Sequence, residues 1–128
     1  MSDITFDNMS YKLIEAIPEL QQECAEDLQY WINHMNMAHI IYGDVLNPFL
    51  ITLLESGKRE ELLKRIFTFL EVLANHDDVR VREVVAATVC ERLGGHKEEL
   101  LEKARAYMGP KTLQIVAKLE EYWGPGSG

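Results

Sequence analysis

The first 57 residues contain a single base. Lys12 stands alone there against nine acids: Asp3, Asp7, Glu15, Glu19, Glu23, Glu26, Asp27, Asp44 and Glu55. From Lys58 onward acids and bases number twelve each, so the whole net charge of −8 sits in the N-terminal half. A field of that sign repels nucleic acid and anionic membrane and attracts a basic protein surface. Solubility alone would also account for a charge of this size. Long hydrophobic runs are missing as well, which excludes a transmembrane helix. The opening residues carry no basic stretch, so no secretory signal is expected and the protein reads as cytoplasmic. Cysteine occurs only at Cys24 and Cys90, far apart, and both read as buried or half-buried thiols in a reducing compartment.

The motifs of several chemistries are also missing. There is no phosphate-binding glycine loop, H-E-x-x-H, C-x-x-C, EF-hand loop or G-x-S-x-G. His34, His39, His76 and His96 are not paired with one another or with a cysteine at metal-ligand spacing. Neither cysteine has a local sign of the lowered pKa and positioned base that a thiol catalyst needs. The chain is therefore expected to be no enzyme and to use no cofactor and no metal.

What is present is helix. Hydrophobic residues make up 47% of the 128 and charged residues 27%, the balance of a globular chain, and no clean period-two run or Asn-Gly hairpin signal appears. The pattern predicts an all-α antiparallel bundle of about six or seven helices. Residues 1–123 form a single helical domain, and residues 124–128 a flexible tail or a scar. Asn8 or Ser10 caps a first helix through Ile17. Pro18 opens a second, with Leu20, Cys24, Leu28, Trp31 and Met35 as one apolar stripe. Tyr42-Gly43-Asp44 reads as a turn, and Asn47-Pro48 starts the third helix, which Gly57 stops. The fourth spans 59–75, with Leu62, Leu63, Ile66, Phe69, Leu70 and Leu73 inward. Asp77 or Asp78 caps the fifth, and Gly94-Gly95 ends it. The sixth runs from 97 to 108, and Gly109-Pro110 separates it from the seventh, whose apolar residues are Leu113, Val116, Leu119 and Trp123.

The C-terminal helices place Glu60–Lys64, Glu61–Arg65, Asp78–Arg82 and Glu99–Lys103 at supportive four-residue spacing. The run Asp78-Val79-Arg80-Val81-Arg82 followed by Val84-Val85-Ala86-Ala87 resembles the second helix of a HEAT-type repeat, so HEAT-like packing is expected in this half.

The second helix holds the most suggestive constellation. Glu19, Glu23, Glu26 and Tyr30 fall within about 60° of one another on a helical wheel, and Asp27 borders the apolar stripe. No Lys or Arg lies within one turn of them. Like charges at this spacing cost stability, which makes sense if a basic partner supplies the counter-charge. Aromatic and Met side chains, the usual interface anchors, follow at Tyr30, Trp31, Met35, Met37 and Tyr42. Trp31 and Met35 lie on the apolar stripe and read as core; Tyr30 and Met37 suit core and interface equally.

The stretches Tyr42-Gly43-Asp44-Val45, Leu53-Leu54-Glu55-Ser56-Gly57 and Ile66-Phe67-Thr68-Phe69-Leu70-Glu71 resemble a family of small helical bacterial proteins of unknown function. So do Val81-Arg82-Glu83-Val84-Val85, Glu91-Arg92-Leu93-Gly94, Tyr107-Met108-Gly109-Pro110-Lys111-Thr112-Leu113 and Trp123-Gly124. The similarity spans roughly residues 14–124, and its motifs mark helix ends and cores. Such proteins resemble, in size and acidity, the immunity proteins that neutralise secreted bacterial toxins. The resemblance and the charge together give the expected function: binding a basic, nuclease-type toxin domain and occluding its active site. Glu19, Glu23, Glu26, Asp27, Tyr30, Met37, Tyr42 and Asp44 are the expected contacts. The rival expectation is a HEAT-like adaptor that binds a host protein without neutralising a toxin.

Overall fold

The computed structural model describes residues 3–95 and 98–123, and among these every regular element is helical. In chain order they are α1 (Met9–Ala16), α2 (Glu19–Glu23), α3 (Ala25–Tyr30), a 3₁₀ turn (Ile32–His34), α4 (38–56), α5 (Glu60–Ala74), α6 (79–94), α7 (Glu98–Arg105) and α8 (Pro110–Trp123). The expected six or seven helices become eight because the second divides. Its chain breaks at Cys24, where φ is −120° and ψ 31°, and again at Trp31. The apolar stripe survives the break: Leu20, Leu28 and Met35 are buried, Cys24 and Trp31 half-buried. The acids crowded at residues 23, 26 and 27, with no base in the same turn, weaken a continuous helix there. The proposed tail at 124–128, the start of the sixth helix at 97 and the Trp123 side chain lie outside the described residues.

The expected turn at Tyr42-Gly43-Asp44 is absent. The chain stays helical from 38 to 56 and passes through a π segment, Ile41–Leu46. The Asn47 N–H reaches back five residues to the Tyr42 carbonyl. Asn47-Pro48 therefore lies inside α4 rather than at its start, and the π turn just before it re-routes the ladder that proline cannot complete. A Cβ at Gly43 would lie 2.6 Å from Arg92 Nη1, the far end of a long, half-exposed side chain that can shift aside. α6 has a matching π segment, Val84–Cys90, packed against that of α4.

Other signals are found where the sequence places them. Gly57 ends α4 in the left-handed region, at φ 65°, where glycine carries no steric cost. Asp78 caps α6, its carboxylate accepting from the Arg80 N–H at 2.9 Å. α8 begins at Pro110. α6 is the hub of the bundle, packing on α4, α5, α7 and α8. Its Val84, Val85, Val89 and Leu93 are all buried, as are Leu63, Ile66, Phe67 and Leu70 of α5. Phe67, not Phe69, is the fully buried aromatic of α5; Phe69 is only partly covered.

The N-terminal segment is tied down by His76. Its Nδ1 accepts from the Asp78 N–H at 3.0 Å, so its Nε2 donates to the Ile4 carbonyl at 2.7 Å.

Candidate functional site

α2, α3 and the 3₁₀ turn form a bent ridge along one side of the bundle. Tyr30 is 76% exposed at the end of α3, with Ile32 and Met37 exposed just beyond it. The half-buried Trp31 ring meets Tyr30 edge-on at 4.8 Å and His34 at 5.6 Å, which fixes the cluster. Glu26 and Asp27 stand exposed on α3, and neither makes an ion pair among the described residues. The α3 end of the ridge thus combines apolar anchors with acids that make no ion pair among the described residues.

The other expected contacts are placed differently. Glu19 and Glu23 are not unpaired: Arg65 and Arg59, both from the α5 region, supply their counter-charges, the second at 2.7 Å. Hydrogen bonding from Arg65 holds the Glu19 carboxyl below the usual carboxylate range, against a smaller opposing effect of burial. These bases lie 46 and 36 residues along the chain, beyond the reach of a one-turn search. The supportive pairs expected on the C-terminal helices shift accordingly. Arg65 turns to Glu19, and Arg82 donates to the carbonyls of His76 and Asp77 at 2.7 and 2.9 Å. Tyr42 has no exposed surface at all; its hydroxyl donates to the Met9 carbonyl at 2.7 Å. It is a core residue and not a surface contact. Asp44 is exposed but pairs with Arg92 at 3.3 Å.

Asp44 belongs to a polar junction between the two π segments that sequence reasoning missed. His39 Nδ1 lies 2.5 Å from Thr88 Oγ1. The buried Asn47 amide donates to the carbonyls of Thr88 and Val89 at 3.3 and 3.4 Å. These partners lie on helices more than forty residues apart, and a π turn leaves no periodic mark to find.

Cys90 is buried and its thiol is pushed up to about 12; burial, then Asp27 and Glu23, also raise the Cys24 thiol. Both are protonated near neutrality, the reverse of an activated nucleophile. Among the described residues no three His, Cys, Asp or Glu side chains converge as a metal set, and no helix is long and apolar enough to cross a membrane.

The Glu19 and Glu23 pairs carry a prediction. Reversing both to Lys should lower the melting midpoint by roughly 2–6 °C, because each new ammonium faces an arginine. Reversing Glu26 and Asp27 should leave it within about 2 °C. Thermal melts followed by circular dichroism separate the two.

Fold and surface together define a small all-helical domain with an exposed acidic and aromatic ridge. Residues 11–124 match the profile of a family described as a domain of unknown function (DUF7674), and the chain belongs to that family. No curated protein and no solved structure matches it.

Proposed function

We propose that this chain is a non-catalytic bacterial immunity protein that binds a basic toxin domain through the α2–α3 ridge and blocks its access to substrate. The observation that carries the reading is the grouping of exposed Tyr30, Ile32 and Met37 beside Glu26 and Asp27, which make no ion pair among the described residues. A toxin that cuts nucleic acid is basic around its active site because it must hold phosphates. An acidic face speeds encounter with such a surface, and aromatic anchors then slow release. Glu26, Asp27, Tyr30 and Met37 are the contacts in this reading. Glu19, Glu23 and Asp44, each paired with an arginine, are not contacts in this reading, and Tyr42 supports from the core.

The test is co-expression with the toxin domain encoded beside this chain in its host genome. Wild type should protect the cell and co-purify with the domain. Glu26→Lys with Asp27→Lys should slow association about tenfold or more at low salt, and Tyr30→Ala should speed dissociation. A neighbouring domain that is harmless when expressed alone, with a stable host protein bound at the ridge instead, would overturn immunity in favour of an adaptor. Binding indifferent to all three substitutions would remove the ridge.

A further inference from the structure

Residues 3–8, ahead of α1, lie against the start of α6 as a strap. Ile4 is buried in the core and Phe6 is partly buried against it. The Phe6 ring packs beneath the Arg80 guanidinium, 5.1 Å from the ring centroid, and its centroid lies 6.1 Å from that of the His39 ring on α4. Most polar bonds of the strap are its own. The Asn8 side chain accepts from the Thr5 N–H at 2.7 Å and donates to the Asp3 carbonyl at 2.9 Å. Among the described residues, one hydrogen bond joins residues 3–7 to the bundle, from His76 Nε2 to the Ile4 carbonyl at 2.7 Å.

That arrangement requires a neutral imidazole. The two ring nitrogens of His76 serve backbone groups of opposite kind: Nε2 donates to Ile4, and Nδ1 accepts from the Asp78 N–H at 3.0 Å. A proton on Nδ1 removes the acceptor and sets two N–H groups against each other. The Asp78 carboxylate is not free to take the new donor. Both of its oxygens are held by Arg80, through the backbone N–H at 2.9 Å and the guanidinium at 3.2 and 2.8 Å. Arg82 sets a cation on the same loop, its Nη1 donating to the carbonyls of His76 and Asp77, which opposes a second positive charge. Asp77 on the loop and Asp3 and Asp7 on the strap are exposed, so water screens their pull on an imidazolium. His39, across Phe6, has its Nδ1 on Thr88 Oγ1 and meets the strap through its ring alone.

We propose that residues 3–8 form a proton-released strap, with His76 as its clasp. The closed strap excludes a proton that His76 can take up when the strap is open, so acid favours opening, by up to about tenfold per pH unit. Histidine changes charge between about pH 5 and 8, above the range in which most carboxylates take up protons. Opening uncovers the apolar surface beneath Ile4 and Phe6 and leaves the helices in place.

NMR spectroscopy of the full chain between about pH 7.5 and 5.5 tests it. At the upper end the His76 ring nitrogens should report the Nε2–H tautomer. On acidification the ring should take up a proton. The Ile4 methyl and Phe6 ring signals should move to unfolded positions with the same midpoint, while Val84, Val85 and Leu93 of α6 stay native. His76→Ala should leave the strap open throughout. His76→Gln, whose amide offers a donor and an acceptor that do not titrate, should lose the response and keep the fold if His76→Ala does not. His39→Gln should keep the response. An imidazole that protonates while Ile4 and Phe6 stay packed overturns the proposal, as does a strap that stays packed in His76→Ala or across the whole pH range. Loss that spreads to α6, a response that survives His76→Gln, or one abolished by His39→Gln overturns it equally. Glu26→Lys with Asp27→Lys should leave the titration unchanged, so failure at the ridge and failure at the strap are distinguishable.

Discussion

Tyr42→Ala is expected to destabilise the protein by about 3–5 kcal/mol, the largest single-residue effect we anticipate. The ring has no exposed surface, so its removal leaves a cavity inside the bundle. The hydroxyl also donates to the Met9 carbonyl at 2.7 Å, which fastens α1 to the π segment of α4. Burial alone raises the Tyr42 hydroxyl well above its ordinary pKa, so it remains a donor at any working pH. Tyr42→Phe keeps the volume and removes only the donor, and should cost about 1–2 kcal/mol. Urea titrations of the three chains give these differences directly. A surface residue would produce neither loss, so the series also separates core from contact. Near-native stability of Tyr42→Ala would show that α1 packs elsewhere in solution.

Glu71→Ala is expected to cost about 2 kcal/mol. Glu71 lies on α5, yet its carboxylate caps α8. It accepts from the Lys111 N–H at 2.8 Å, the Thr112 N–H at 3.0 Å and the Thr112 hydroxyl at 2.8 Å, and Asn75 donates to it at 3.1 Å. Burial pushes this carboxyl up, but the donors together outweigh it and hold it below the usual carboxylate range. The sign of the pH dependence follows. A depressed folded pKa gives stability that is complete above the unfolded value of about 4.3. That contribution is lost as pH falls through the lower folded value. The gap between the melts of wild type and Glu71→Gln should therefore be constant near neutrality and close in acid. A gap that widens in acid would contradict the arrangement.

Helix positions were readable because the apolar positions recur at three and four residues and the ends carry local chemistry. The Asp78 cap, the left-handed Gly57 and the Pro110 start all lie within a few residues of what they terminate. Gly43 misled because a glycine that admits a distant side chain is spelled like one that makes a turn. The Arg92 guanidinium beside it comes from another helix. The acidic face was readable as composition but not as electrostatics, since the partners of Glu19 and Glu23 are brought in by tertiary packing. Tyr30 and Met37, whose pattern suited core and interface equally, are exposed. Tyr42 was misplaced at the surface, because the chain was taken to leave the helix where it continues.

The paired π segments bear on how length variation can be accommodated in this family. A single π turn holds one residue more than an α-helix spanning the same rise. Deleting one residue within 41–46 or 84–90 would turn that stretch into ordinary α-helix and leave the flanking faces in phase. A deletion elsewhere in α4 or α6 would rotate every later side chain by about 100°, carrying Leu50 or Leu93 out of the core. A relative one residue shorter in this region should therefore be aligned with its gap inside a π segment.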